Sequence, residues 1–400
     1  MRILFVYERR IIPSFGGIER VTHLLASELR KRRHKVYFLS VGPREWNADS
    51  SLESEWQTYK PSSSSDFKEW FARYLKSKGI DKVIFQGPHA SVVKALEDAP
   101  SEIFKVAVCH LRPFNIYPNE RFVKGLTPWR SLKLKGKVLK MFAMVWPEGF
   151  RRLNNRNTAK TYYRIIESSD RYVFLSGRFL PRVRRLMPAI DGEKLFAVNN
   201  PNTFVIDAYR DEEKENVVLF VGRLSNSHKN VTGFLDVWKK FHKEHPHWRA
   251  EIVGTGEDEE YIKSYARRHR IRNLSFEGPQ QDVASYYKKS KILCLTSSYE
   301  GWGMVLTEAM AYSCVPVAFD SYESIHDIIE DGKTGILIKA FDTSAMAKGM
   351  KRLASNEELR KKIASMSRES VKRFKVEKIA DEWETLLKSH SISEQQLHRI

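Results

Sequence analysis

Cysteine is scarce in this chain: Cys109, Cys294 and Cys314 are its only three among 400 residues. Each sits on an apolar stretch and none has metal-ligand spacing, which argues against a disulfide framework or a zinc site and favours a reducing compartment. Long apolar runs are missing as well. No stretch approaches the roughly 18 uninterrupted apolar residues of a membrane-crossing helix. The opening run Met1 to Tyr7 is cut short by Glu8, Arg9 and Arg10, too early for a signal-peptide core. Any membrane contact is therefore expected to be peripheral. No aspartate-x-aspartate triplet occurs anywhere. Acids are in short supply too: 49 Asp and Glu against 68 Lys and Arg leave a formal charge of +19. Such a surplus attracts anions, whether nucleic acid, acidic lipid or phosphate-bearing substrates, and does not choose among them.

What is present is globular usage, with 42% hydrophobic and 29% charged residues, on a chain long enough for two domains. Ile3 to Tyr7 reads as a buried strand, followed by a loop with Pro13, Gly16 and Gly17. A helix from about Ile18 to Arg33 comes next, with Val21, Leu24, Leu25 and Leu29 at helical spacing, and then a strand at Val36 to Leu39. Strands are further predicted at 82–85, 104–109 and 171–175. After Asn199 to Asn202 and the charged stretch Asp211 to Glu215, the alternation restarts with a strand at 217–221 and a helix at 231–242. Strands at 250–253, 274–276, 292–295 and 315–319 alternate with helices at 257–269, 282–288 and 304–312, before a helical tail. Two α/β sheets of this kind predict two Rossmann-like domains facing a cleft. The first spans 1–205 and the second 206–375; a helical tail at 376–400 has the option of crossing back to the first.

The segment Glu300-Gly301-Trp302-Gly303-Met304-Val305-Leu306-Thr307-Glu308 follows a predicted strand. A strand, a glycine turn and a helix start leave backbone amides free near Gly303, Met304 and Val305, which suits a phosphate. Two carboxylates beside a phosphate site repel it, but they make sense as acceptors for sugar and ribose hydroxyls. Val221-Gly222-Arg223-Leu224, with Lys229 at the next helix, places a guanidinium and an ammonium after a strand, as a diphosphate site requires. The EGWGMVLTEAM pattern resembles the paired-glutamate motif of retaining glycosyltransferase family 4, and GRLSNSHK resembles that family's arginine and lysine pair. The resemblance implies the GT-B architecture and EC 2.4 chemistry, in which a sugar moves from a nucleoside-diphosphate sugar with retained configuration. It assigns Glu300 to the transferred sugar, Glu308 to the ribose, and Arg223 and Lys229 to the leaving diphosphate. It further implies that Gly16 and Gly17 reach toward the donor and that His110, after the strand 104–109, is the active-site histidine. Cation side chains stand where a metal would otherwise serve, so no metal ion and no separate cofactor are expected.

The stretch 121–164 breaks the α/β rhythm with twelve basic residues against Glu148. Leu134, Val138, Met141 and Val145 share one helical face, with Lys133, Lys137 and Lys140 beside it and Trp129, Phe142 and Trp146 interspersed. One-sided charge favours an anionic membrane surface or a lipid-linked phosphate acceptor; a solvated face packed on the first domain and nucleic acid remain open. The resulting expectation is a cytoplasmic enzyme, peripheral at a membrane, acting on a glycan or lipid-linked acceptor in cell-surface polysaccharide or glycolipid synthesis. The alternatives are a nucleotide-sugar epimerase or hydrolase of the same fold, or a non-catalytic polyanion binder. His34, in the cluster Lys31 to Lys35, reads as structural.

Overall fold

The computed structural model describes residues 1–13, 16–42, 56–58, 64–114, 134–204 and 214–397. Phe15, Arg121, Lys124, Trp129, Arg130, Lys133 and the stretch Asp211 to Glu213 lie outside these residues.

In chain order the elements are β1 (Arg2–Tyr7), α1 (Gly17–Lys31), β2 (Lys35–Ser40), β3 (Trp56–Thr58), α2 (Ser64–Lys78), β4 (Lys82–Gln86), α3 (Ala90–Asp98), β5 (Phe104–Cys109), α4 (Leu134–Val145), α5 (Pro147–Glu167), β6 (Arg171–Phe174), α6 (Leu180–Leu186) and β7 (Leu195–Ala197). There follow β8 (Glu215–Val221), α7 (Asn226–Lys229), α8 (Val231–His242), β9 (Arg249–Val253), α9 (Glu259–Arg268), β10 (Leu274–Gly278), α10 (Val283–Lys289), β11 (Ser290–Leu295), α11 (Met304–Ala311), β12 (Val315–Asp320), α12 (Ile325–Ile328), β13 (Ile336–Lys339), α13 (Thr343–Ser355), α14 (Glu357–Val371) and α15 (Val376–Leu397). The chain divides into two compact units. One comprises Met1–Phe114, Asn155–Thr203 and Phe374–Ile400, the other Asn115–Asn154 and Phe204–Arg373.

The first unit holds a seven-stranded sheet in the order β3-β2-β1-β4-β5-β6-β7, parallel at every pairing. Its central strands are apolar on both faces, as a sheet covered by helices on each side requires: Ile3, Leu4, Phe5 and Val6 are all fully buried. α1 buries Val21, Leu25 and Leu29 at four-residue spacing and carries Glu19 in its first turn and Arg30 and Lys31 in its last, matching the helix dipole. α15 lies against α1, adding Ile379, Ala380, Trp383, Leu386 and Leu387 to the cluster formed with β1 and β2. Each of the buried leucines and Ile379 contributes about 1.5–3 kcal/mol. At the rim, Arg32 bonds Asp381 at 2.6 Å and His34 bonds Glu384 at 3.0 Å.

The second unit holds a six-stranded sheet in the order β10-β9-β8-β11-β12-β13, again parallel throughout. β13 lies within the expected second domain, at a position where the sequence reading names no strand; it pairs with β12, Val317 opposite Ile336. Its four residues, Ile-Leu-Ile-Lys, are too few for their periodicity to separate strand from helix. In this sheet the chain direction across the order reverses between β8 and β11, and a crevice at such a switch point, beyond the strand C-termini, is where open α/β sheets take ligands.

Candidate active site

The switch-point strand β8 and its neighbour β9 end in loops shaped by glycine. Gly222, directly after β8, has φ +155° and Gly254, after β9, has φ +131°. A side chain at Gly254 would lie 2.1 Å from the Gly222 carbonyl oxygen, so the two turns stack only because Gly254 is bare. Arg223 emerges from this turn exposed. The single-turn α7 then carries His228 and Lys229. Asn226 fixes that turn by accepting from the Thr232 amide and hydroxyl, both at 2.9 Å, and Asn230, left-handed at φ 51°, caps α8 through the Gly233 amide.

The loop after β11 is tied to this turn. Thr296 donates to the carbonyls of Lys229 and Asn230, at 3.2 and 3.0 Å, and the Ser298 amide to that of His228 at 2.8 Å. These bonds bring Glu300 to Lys229, 2.5 Å from ammonium to carboxylate. Ser297 donates to the same oxygen at 2.7 Å. The other oxygen faces His228 Nε2 at 4.0 Å, whose ring stacks on Tyr299 at 4.3 Å. Burial by itself would raise the Glu300 pKa; the charges of Lys229 and His228 with the bonds from Lys229 and Ser297 outweigh it and hold the carboxyl below the ordinary range. His228 is shifted down, mainly by burial, with Glu300 opposing.

Three residues on, Gly303 caps the start of α11 with φ +93° and, having no side chain, gives that helix start no side-chain cap bond. Amides at 304 and 305 precede any carbonyl one turn back, leaving a small field suited to an anion. Glu308, one turn further, is buried at 3% exposure and accepts from Tyr287 at 2.8 Å. Arg223, Lys229, Glu300, Gly303, Met304, Val305 and Glu308 therefore lie on the C-terminal side of one sheet, in loops and helices after β8 and β11.

Gly16, Gly17 and His110 belong to the first unit. Gly16 precedes α1 with extended backbone; a side chain there would meet the Glu19 carboxylate at 2.7 Å, and Glu19 itself pairs with Arg9 at 2.8 Å. His110 directly follows β5 and bonds Gln86 through Nε2. Its Nδ1 and the Thr22 hydroxyl are buried without a partner among the described residues, beside a small cavity also lined by Asn199, Asn200 and Trp383. Burial pushes the His110 pKa down to about 4, so the ring is neutral.

Sequence reasoning missed His228, Ser297, Tyr287 and Tyr322. Ser297 alone left a local signal, a hydroxyl three residues before the glutamate it meets. The others reach the site from separate elements.

Residues 203–370 match the family model of the glycosyl transferases group 1, and the two sheets have the GT-B fold of solved glycosyltransferases. An uncharacterized glycosyltransferase of Haemophilus influenzae is 26% identical over 388 residues, 94% of this chain and 97% of that protein. A Campylobacter jejuni enzyme named as an alpha-1,4-N-acetyl-D-galactosaminyltransferase acting on an undecaprenol-linked glycan is 29% identical over 226 residues, 56% of this chain and 58% of its own length. Staphylococcus aureus TarM, solved as a mutant with fondaparinux, alpha-GlcNAc-glycerol and UDP, superposes with a TM-score of 0.72 at 14% identity, covering 97% of this chain and all of TarM.

Proposed function

We propose that this protein is a retaining, metal-independent glycosyltransferase of family 4 that moves a sugar from a nucleoside-diphosphate sugar to a glycan or lipid-linked acceptor. The observation that carries the reading is the pairing of Lys229 with buried Glu300 beside the uncapped start of α11. Lys229 has two further N–H donors for a departing diphosphate, and Arg223 and the α11 amides add to them. The bond from the anomeric carbon to the diphosphate breaks as an acceptor hydroxyl attacks from the same face. The hydroxyl proton leaves with the diphosphate. Glu300 then holds the sugar and Glu308 the ribose. The similarity of residues 203–370 to group 1 transferases supports this reading.

A thermal-shift screen with UDP, GDP, ADP and CMP tests it. A nucleoside diphosphate at a hundredfold excess over Kd stabilises by about 2.7 kcal/mol; no shift with any of them sinks the donor site. Sugar transfer from the donor that binds persists in EDTA, and loss in EDTA with recovery in manganese overturns the metal-independent part.

The same proposal sets the protein on the cytoplasmic, anionic face of a membrane through α4. Leu134, Val138, Met141 and Val145 fall within about 60° of the helix circumference, and they are 79%, 54%, 57% and 80% exposed. The apolar face of this helix therefore points to solvent, with Met144 and Trp146 exposed beside it. Lys137 is exposed at its flank, while Lys140 is buried. The sequence around this helix carries twelve bases against one acid in 121–164, a charge that attracts acidic lipid at about 1 kcal/mol per cation near the surface. No described helix is long and apolar enough to cross a membrane, so contact would be in plane. Sedimentation with phosphatidylcholine vesicles, with and without phosphatidylglycerol, tests it. Wild type sediments with the anionic vesicles, and Val138→Asp/Met141→Asp stays in solution with unchanged Tm. Equal sedimentation of both proteins, or of neither, discards the lipid reading.

A further inference from the structure

The hydroxyl of Tyr322 is a buried polar group with no hydrogen-bond partner among the described residues, although its residue is 3% exposed. It is aimed at the start of α11. A side chain built on Gly303 would stand 2.5 Å from the Tyr322 oxygen, so glycine at 303 serves both the backbone, at φ +93°, and the space this hydroxyl fills. The loop carrying Tyr322 is held on both sides of it. Ser321 donates to the Ser297 carbonyl at 2.7 Å and Ser324 to the Gly301 carbonyl at 3.0 Å. These two bonds clamp residues 321–324 onto the loop that bears Glu300.

A hydroxyl buried without a partner costs about 1–3 kcal/mol on general grounds, and such groups persist where a ligand completes them. Here the neighbours are a helix start with free amides and a carboxylate already satisfied by Lys229 and Ser297. An anionic oxygen seated on the α11 amides is the acceptor that would pair the hydroxyl. We propose that Tyr322 is a further donor-binding residue, whose hydroxyl donates to the terminal phosphate of a nucleoside diphosphate held at the start of α11. This rests on the nucleotide-sugar reading above. Burial, with the nearby charges of Glu300 and Asp320, keeps the phenol far above its ordinary pKa, so it stays protonated and serves only as a donor.

The test is calorimetric titration of wild type and Tyr322→Phe with the nucleoside diphosphate that shifts wild-type Tm, and with its monophosphate. The variant is expected to bind the diphosphate about tenfold to a hundredfold more weakly, as for a hydrogen bond to a charged group. Monophosphate affinity stays unchanged. The free variant melts at the same temperature or higher, because the lost hydroxyl had no partner. Equal diphosphate affinity in the two proteins overturns the proposal. So does equal weakening of both nucleotides, or a lower Tm of the free variant, either of which marks Tyr322 as a packing residue. If wild type binds no nucleoside diphosphate at all, the donor-site reading falls and this proposal with it; binding that ignores the substitution sinks the proposal alone.

Discussion

Lys229 and Glu300, 71 residues apart in sequence, place an ammonium 2.5 Å from a carboxylate, both side chains largely buried. Removing one partner leaves the other charged and desolvated, which in buried pairs costs about 3–5 kcal/mol. Lys229→Ala should therefore destabilise clearly, while Glu300→Gln, which keeps the shape and leaves Lys229 its other neighbours, should cost less. The pH dependence separates the two. In wild type the Glu300 pKa is depressed, so its stabilisation is present above about 4.5, the unfolded value, and is lost as pH falls through the lower folded value. In Lys229→Ala, burial and no ammonium raise the folded pKa, so this carboxyl disfavours folding as pH rises past about 4.5. Tm measured from pH 3 to 7 reads the change of slope; identical slopes would mean that the pair does not exist in solution.

Gly303→Ala combines an unfavourable positive φ with a contact of 2.5 Å to the Tyr322 hydroxyl. A loss of about 2 kcal/mol or more is expected. With Tyr322→Phe in the same chain the nearest atom of that ring is the one now 3.5 Å away, so the double variant should recover part of the loss. Chemical denaturation of the four proteins gives the coupling energy, and strict additivity would place the hydroxyl elsewhere.

His110 stays neutral in the fold, with its pKa lowered from 6.5 to about 4 by burial. The unfolded chain binds the extra proton between those values, so stability falls as pH drops through that window, by about 3 kcal/mol from this residue when complete. His110→Gln should lose that component and flatten the Tm profile between pH 6.5 and 4. A profile as steep as wild type would assign the dependence to other groups.

Trp383 of α15 is 6% exposed within the first unit's core, and Trp383→Ala should cost about 3–5 kcal/mol. Asp381→Asn breaks the neighbouring bond to Arg32, but Asp381 is 68% exposed, and such pairs contribute about 0–1 kcal/mol. Urea denaturation of the two variants checks this ranking, which reverses if α15 is held by charge rather than burial.

Much of the fold is legible in the chain because apolar periodicity is local. Runs such as Ile3 to Tyr7, and the helical spacing of Val21, Leu25 and Leu29, imply covered parallel strands and helices wherever they occur. The glycine turns at 222 and 303 and the glutamates at 300 and 308 are equally local. β3, β7 and β13 are three or four residues long and have too little pattern to declare themselves. Tyr322, Tyr287 and His228 carried no local signal toward Gly303, Glu308 and Glu300, because those meetings join loops and helices from different strands.

By itself, then, the sequence determined two α/β sheets, an anion-attracting charge and a strand–glycine–helix segment with two carboxylates, since each depends on neighbours a few residues away. Tertiary structure decided that Lys229 meets Glu300, that Glu308 turns inward to Tyr287 and that the Tyr322 hydroxyl faces Gly303 unpaired, because strand order brings distant loops together. It also decided that the apolar face of α4 points outward: helical spacing says which residues share a face, and only the packing of the surroundings says whether that face is covered.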